Sequence, residues 1–161
     1  MKKYVFIIIF TVGFQQFALS QGNNPTNYNY EIQFLKTGLQ GTELFKVYSY
    51  CKKEKDCIEN AKVDAVKAIL FKGIPGSGIT APMVNEVGAE EKYSDYFKEF
   101  LKPGGKYLNY VSISNDGSIN ENDRFKVGKQ LKIGVIVSVQ KANLRKELEA
   151  AGIVKKLDNG F

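Results

Sequence analysis

The hydrophobic pattern is clearest in residues 125–139, FKVGKQLKIGVIVSV, where apolar side chains occupy almost every second position. Only Lys129 interrupts this series. In an α-helix, side chains at every second position would point to all sides of the axis and could not form one apolar face. Period two therefore predicts one long β-strand. Because the alternate positions are polar or small, one face of the sheet should pack on a core while the other stays open, as in antiparallel sheets. The residues predicted to face inward are Phe125, Val127, Leu131, Ile133, Val135, Val137 and Val139.

Three shorter segments also have strand character. Residues 28–34 alternate aromatic or aliphatic side chains with polar ones, and residues 43–51 are rich in aromatic and β-branched types. The intervening segment contains two glycines, which predicts that these two strands form a hairpin. Residues 107–114 supply another strand, so we expect four strands in total.

Three helices complete the predicted fold. The first covers residues 56–73, with Asp56 as its N-cap, Glu59 closing a capping box and a glycine at its end. The second covers residues 90–102, and the third begins after Asn143. The order ββααββα predicts an α+β protein, a two-layer α/β sandwich with a four-stranded antiparallel sheet and helices on one face.

The N-terminus has the pattern of a cleavable secretory signal. Lys2 and Lys3 precede an apolar run over residues 4–14, and Ala18 and Ser20 are small residues at the positions that a signal peptidase reads. A retained membrane anchor would need about 20 apolar residues. We therefore expect a periplasmic or secreted protein, cleaved near Ser20, with no transmembrane helix in the mature chain. The predicted segments are a signal peptide (1–20), a disordered leader (21–27), one α+β domain (28–157) and a C-terminal tail (158–161).

Composition adds little to this picture. The chain has 161 residues, of which 43% are hydrophobic and 25% charged, as in an ordinary single-domain globular protein. Its net charge of +6 includes two lysines of the predicted signal peptide. The remaining lysines alternate with acids, as in the segment KKEKD, whereas nucleic-acid-binding proteins cluster them. We expect no nucleic-acid partner.

Cys51 and Cys57 are the only cysteines in the sequence. In an exported protein this spacing predicts a disulfide across a tight turn between a strand and a helix. The alternative is two buried free thiols. A redox-active pair more typically has two intervening residues, and a lipid anchor would need a cysteine at the cleavage site.

The segment over residues 71–83, FKGIPGSGITAPM, has glycines with the spacing of a phosphate-binding loop at Gly73 and Gly78. The lysine that such a loop requires is replaced by Ile79. We therefore interpret the segment as a surface loop.

Three segments together resemble a known group of proteins. They are residues 59–74 (ENAKVDAVKAILFKGI), 95–111 (DYFKEFLKPGGKYLNYV) and 132–154 (KIGVIVSVQKANLRKELEAAGIV). They resemble a group of uncharacterised exported proteins of Bacteroidetes. More distantly, they are similar to the α/β domain of small outer-membrane lipoproteins and to the N-terminal domain of the flagellar T-ring protein. This resemblance concerns packing motifs and implies the fold, but no catalytic residues.

The sequence contains no histidine, which excludes Ser-His-Asp and Cys-His catalysis and the commonest zinc sites. We assign no catalytic residue, no cofactor and no metal site. The favoured function is that of a non-enzymatic exported envelope protein, a binding or assembly module for a peptide, glycan or protein partner. The alternative is a small periplasmic hydrolase-like enzyme that uses carboxylates.

The open face of the sheet is the predicted partner surface. If Phe45 and Val47 point into the core, the tyrosines that alternate with them lie on the open face. Tyrosine beside lysine suits contact with a peptide or a glycan; the alternative is a face that only contacts water. The residues predicted to converge there are Tyr48, Tyr50, Tyr110, Lys132 and Ile136.

Overall fold

The computed structural model describes residues 30–114 and 117–156, which form a five-stranded antiparallel sheet and four α-helices. The predicted signal peptide, leader and C-terminal tail lie outside the described residues. The strands are β1 (Tyr30–Thr37), β2 (Thr42–Cys51), β3 (Val111–Ile113), β4 (Arg124–Val127) and β5 (Gln130–Gln140). The helices are α1 (Glu54–Lys67), α2 (Ala89–Lys92), α3 (Ser94–Leu101) and α4 (Lys141–Ala150).

The sheet is built around β2 and β5, which pair along their whole length from Thr42 opposite Gln140 to Cys51 opposite Leu131. On the other edge of β2 lies β1, which confirms the predicted hairpin. Two short strands share the remaining edge of β5. The β3 strand pairs with the C-terminal half of β5, and β4 pairs with its N-terminal half.

The face assignment of β2 and β5 is confirmed by the register of the two strands. Phe45 lies opposite Val137 and Val47 opposite Val135, and all four side chains are buried. The α1 helix packs on this face. Its small residues, among them the fully buried Ala61, let the helix axis approach the sheet closely.

The predicted long strand over residues 125–139 is wrong, because the chain reverses within it. Val127 pairs with Gln130 across a two-residue turn, and Gly128 in that turn has φ +59°, a conformation that favours glycine. The segment is thus the hairpin of β4 and β5. Phe125 lies opposite Lys132 and therefore points to the open face, not to the core.

The α+β class and the antiparallel sheet are confirmed, but the count of four strands and the order ββααββα are wrong. The hairpin adds a strand, and the predicted second helix is two helices, α2 and α3, separated at Tyr93 with φ −108° and ψ 27°. The α1 helix begins at Glu54 with Lys53 as its N-cap, so the predicted Asp56 cap lies inside the first turn. It ends through a π-helical turn, Ala68–Lys72, and Gly73 stops it as predicted.

The predicted strand over residues 107–114 is shorter than expected. Its first half is a 3-10 turn, Lys106–Asn109, and only Val111–Ile113 pairs with β5. The chain packs tightly against the end of α3 at Gly105, where an added Cβ would lie 2.4 Å from the carbonyl oxygen of Phe100. This approach bends the chain, and Tyr107 is buried in the core instead of lying along a strand.

The predicted disulfide between Cys51 and Cys57 is present. It joins the end of β2 to the first turn of α1, with 5.2 Å between the two α-carbons. Both residues are buried, so the bond belongs to the core where the sheet meets the helix.

The glycine-rich loop that follows α1 is packed against the core. The backbone N–H groups of Met83 and Val84 donate to the carbonyl oxygens of Ile69 and Leu70, with N···O distances of 2.9 Å each. An added Cβ at Gly73 would lie 2.5 Å from the carbonyl oxygen of Thr80. The predicted surface loop therefore packs against the core beside the helices.

Candidate partner surface on the open sheet face

The structure brings four of the five predicted surface residues to one face. Tyr48 lies opposite Gly134, and Tyr50 lies opposite Lys132. Ile136 belongs to the same alternation of β5 as Lys132. We define the open face as this side of β2 and β5 together with the residues of β1 and β4 that pair on it.

Tyr110 is placed elsewhere. It follows the 3-10 turn after α3, where its ring stacks on Phe100 with 6.1 Å between the centroids. Its hydroxyl donates to Glu147 of α4 over 3.0 Å. Tyr96 completes this cluster, and burial together with the nearby Glu147 raises the pKa of Tyr96 to about 12. Tyr110 therefore belongs to the helical layer and is not part of the open face.

Lys132 is the centre of the open face. Its ammonium lies 2.6 Å from a carboxylate oxygen of Glu31 on β1. This hydrogen bond raises the pKa of Lys132 and lowers the pKa of Glu31. Because Glu31 is largely exposed, solvent screens the pair, and we expect less than about 1 kcal/mol of stability from it.

Three aromatic rings surround the same ammonium. It lies 5.2 Å from the ring centroid of Tyr48, 5.8 Å from that of Tyr50 and 6.0 Å from that of Phe125. Each distance is within the range of a cation–π contact. The middle of the face is therefore an aromatic surface around the Lys132 ammonium.

A second polar cluster lies beside the first. Lys46 of β2 binds both carboxylate oxygens of Asp123, at 3.0 and 2.8 Å, and the Tyr48 hydroxyl donates to the same carboxylate over 2.8 Å. Burial alone would raise the pKa of Asp123, but the hydrogen bonds from Lys46 and Tyr48 outweigh it and hold this pKa below its usual value. The segment that leads into β4 is thereby fixed across the middle of the face.

Gly134 makes this arrangement sterically feasible. A Cβ at this position would lie 2.6 Å from Cε1 of Tyr48 and 3.1 Å from Cβ of Asp123. We expect Gly134→Ala to displace the Tyr48 ring and to lower the free energy of unfolding by about 1–3 kcal/mol. Urea denaturation measures the loss. Gly78→Ala is the matched control, since an added Cβ there meets no atom within 4 Å; equal effects of the two substitutions would contradict the packing argument.

Sequence reasoning missed several members of the open face. The alternation predicts Phe125 and Val127 in the core, yet the hairpin turns both outward, and each is 46% exposed. A glycine inside a strand is a signal of close approach by another group, and Gly134 gave that signal. Asp123 gave none, because its role depends on contacts with residues more than 70 positions away in the sequence.

Two carboxyl groups have the raised pKa that acid catalysis needs. Burial raises the pKa of Asp64 on α1, whose Oδ2 lies 2.6 Å from the Ser49 hydroxyl beneath the sheet. Burial also raises the pKa of Glu90 on α2, which lines a groove of about 390 Å³ with Lys67 and Glu91. Asp64 does not line that groove. The two groups therefore do not face one substrate position together.

The raised pKa of Asp64 predicts a dependence of stability on pH. A group whose pKa is higher in the folded state stabilises the fold fully below its ordinary pKa of 3.8, and that contribution is lost as the pH rises through the folded-state value. We expect Asp64→Asn to gain stability relative to the wild type as the pH rises from 3.8 through the folded-state pKa of Asp64. Denaturation midpoints measured from acid to neutral pH check it, and parallel curves for the two proteins would refute the assignment.

Comparison of the chain with protein-family models, with curated proteins and with solved structures finds no match. The described residues include no helix with the length and apolar character needed to cross a membrane.

Proposed function

We propose that the protein is a non-enzymatic binding or assembly module of the cell envelope and that its open face receives a peptide or protein partner. The observation that carries the proposal is the exposure of Phe125 and Val127, which the hairpin places next to Tyr48, Tyr50 and Lys132. Phe125 and Val127 are each 46% exposed on the same face as the half-buried Tyr48 and Tyr50, and the centroid of the Phe125 ring lies 6.2 Å from that of Tyr48. Exposed apolar patches are typical of partner surfaces.

A polypeptide suits this surface better than a glycan. Its centre combines aliphatic and aromatic side chains, and the charges of Lys132 and Lys46 are already matched by Glu31 and Asp123. An apolar centre with paired charges around it is the usual anatomy of a protein interface. A partner that covered Phe125 and Val127 would remove their apolar surface from water at about 25 cal/mol per Å².

We also propose that the chain is exported to the periplasm or beyond, with cleavage near Ser20. The Lys-apolar-small pattern of its N-terminus supports this, and so does the disulfide between Cys51 and Cys57, since such bonds persist mainly in oxidising compartments. The resemblance to uncharacterised exported proteins of Bacteroidetes implies export as well.

Site-specific crosslinking in intact cells tests the partner surface. Val127 and, in a separate protein, Val87 are replaced by a photo-crosslinking amino acid; Val87 is 99% exposed and lies just before α2. We expect a discrete adduct from position 127 that is absent from position 87. Protease digestion of the adduct separates a polypeptide partner from a glycan.

A second substitution makes the result specific. Phe125→Asp should abolish the adduct from position 127 without lowering the free energy of unfolding by more than about 1 kcal/mol, because Phe125 is partly exposed. Equal crosslinking from positions 127 and 87, or an adduct that survives Phe125→Asp, would refute a partner surface at this place.

A further inference from the structure

A large cleft lies outside the open face. It has a volume of about 1130 Å³. One side is residues 78–86, which include the end of the glycine-rich loop, and the other side is α4 with residues 152–155. None of the open-face residues lines it. The loop wall is held in place by the backbone hydrogen bonds from Met83 and Val84 to the end of α1.

The floor of the cleft is apolar. Ile79, Met83 and Val84 come from the loop and Ile153 from the segment after α4, and all four are buried members of the core. On the other side, the chain folds back through a hydrogen bond from the Ile153 N–H to the carbonyl oxygen of Leu148. Because both walls are fixed to the core, the cleft is preformed.

The lining is strongly biased in charge. Four of its side chains are cationic and one is acidic. The acid, Glu86, already pairs with Lys92 over 2.7 Å. Arg145 pairs with Glu149, whereas Lys141 and Lys155 form no ion pair with any residue in the described part of the chain.

We propose that this cleft binds a small amphipathic anion, a molecule with an apolar body and one carboxylate or phosphate head. The apolar floor receives the body, and Lys141 and Lys155 at the rim receive the head. Ligand pockets commonly combine an apolar lining with a few placed polar groups and have volumes of roughly 300–1,000 Å³, which makes this cleft large enough. A neutral apolar molecule would leave both lysines without a counter-charge, so the head group decides selectivity.

Isothermal titration of the mature protein with matched probes tests the proposal. Decanoate and decyl phosphate carry both features, decanol carries only the apolar chain, and acetate carries only the head. We expect saturable binding of at least one amphipathic anion, with decanol and acetate weaker by about tenfold or more. The tighter of the two anions identifies the preferred head. No saturable binding of either anion, or equal affinity for decanol, would overturn the proposal.

Two variants locate the binding. Lys141→Gln and Lys155→Gln should each weaken the preferred anion by about tenfold, as expected for the loss of one charge-assisted contact. Lys129→Gln, in the turn between β4 and β5, is the matched control and should leave the affinity unchanged. The site would lie elsewhere if only Lys129→Gln lost affinity, or if Lys141→Gln and Lys155→Gln both kept the wild-type affinity.

Co-sedimentation with vesicles distinguishes binding of a free ligand from binding to a membrane surface. The protein is sedimented with vesicles that contain an anionic phospholipid, with the probes present as monomers in a parallel titration. Binding of the monomeric anion without co-sedimentation supports a site for a free ligand. Co-sedimentation without binding of either monomeric anion would overturn it in favour of a membrane surface.

Discussion

Val135→Asp should unfold the protein or destabilise it by at least about 3 kcal/mol. Val135 lies in the middle of β5 with its side chain 2% exposed, opposite the fully buried Val47. A carboxylate there would be buried against α1 without a cation. Since small domains have only about 5–15 kcal/mol of total stability, we expect little folded protein, and urea denaturation followed by circular dichroism measures the loss.

Val127→Asp is the matched control for this substitution. The two valines have the same phase in the alternating sequence, but the hairpin places Val127 on the open face, where it is 46% exposed. We expect a cost of no more than about 1 kcal/mol. Similar losses from both substitutions would mean that β4 and β5 are one strand after all.

Removal of the disulfide should give the second large effect. The bond closes a loop with a sequence separation of 6, for which the chain-entropy model gives roughly 2 kcal/mol. We expect Cys51→Ala/Cys57→Ala to lower the free energy of unfolding by that amount, measured as a lower urea midpoint with an unchanged slope of the free energy against urea concentration. The variant leaves small voids, because both cysteines are buried.

Reduction of the wild-type disulfide distinguishes the stability that the covalent bond contributes from the stability that the buried sulfur atoms contribute by packing. The wild-type protein treated with a reducing agent should lose most of the stability that the double variant loses, since the sulfur atoms remain in the core. A midpoint that does not change on reduction would show that the cysteines are not bonded in solution. Two alkylated thiols per chain under denaturing, non-reducing conditions would show the same.

The inner face of the sheet was predictable because period two defines it directly. Phe45, Val47 and four odd-numbered residues of β5, from Ile133 to Val139, are buried as the alternation indicates, and Leu131 is half-buried. The hairpin was not predictable from alternation alone. A two-residue turn reverses which face the odd positions occupy, so apolar residues at odd positions on both sides of Gly128 and Lys129 fit both one long strand and two short ones.

The remaining errors arise where tertiary contacts override local preference. Tyr110 has strand character in the sequence, but the tight approach of Gly105 to the end of α3 bends the chain and carries Tyr110 to Phe100 and Glu147. The predicted helix over residues 90–102 breaks at Tyr93, although no proline or glycine marks that point. Asp123 joins the open face through Lys46 and Tyr48, a contact that no local pattern contains.

The long sequence distance between β2 and β5 has a consequence for folding. Until residues 130–140 are available, β2 has only β1 beside it, and an isolated two-stranded hairpin is at best marginally stable in water. Phe45 and Val47 reach their cross-strand partners only through contacts about 90 positions apart in the sequence. Closing contacts of such long range limits the rate of folding. We therefore expect the pairing of β5 with β2 to be the step at which β1 and β2 join a stable sheet and the protein becomes compact.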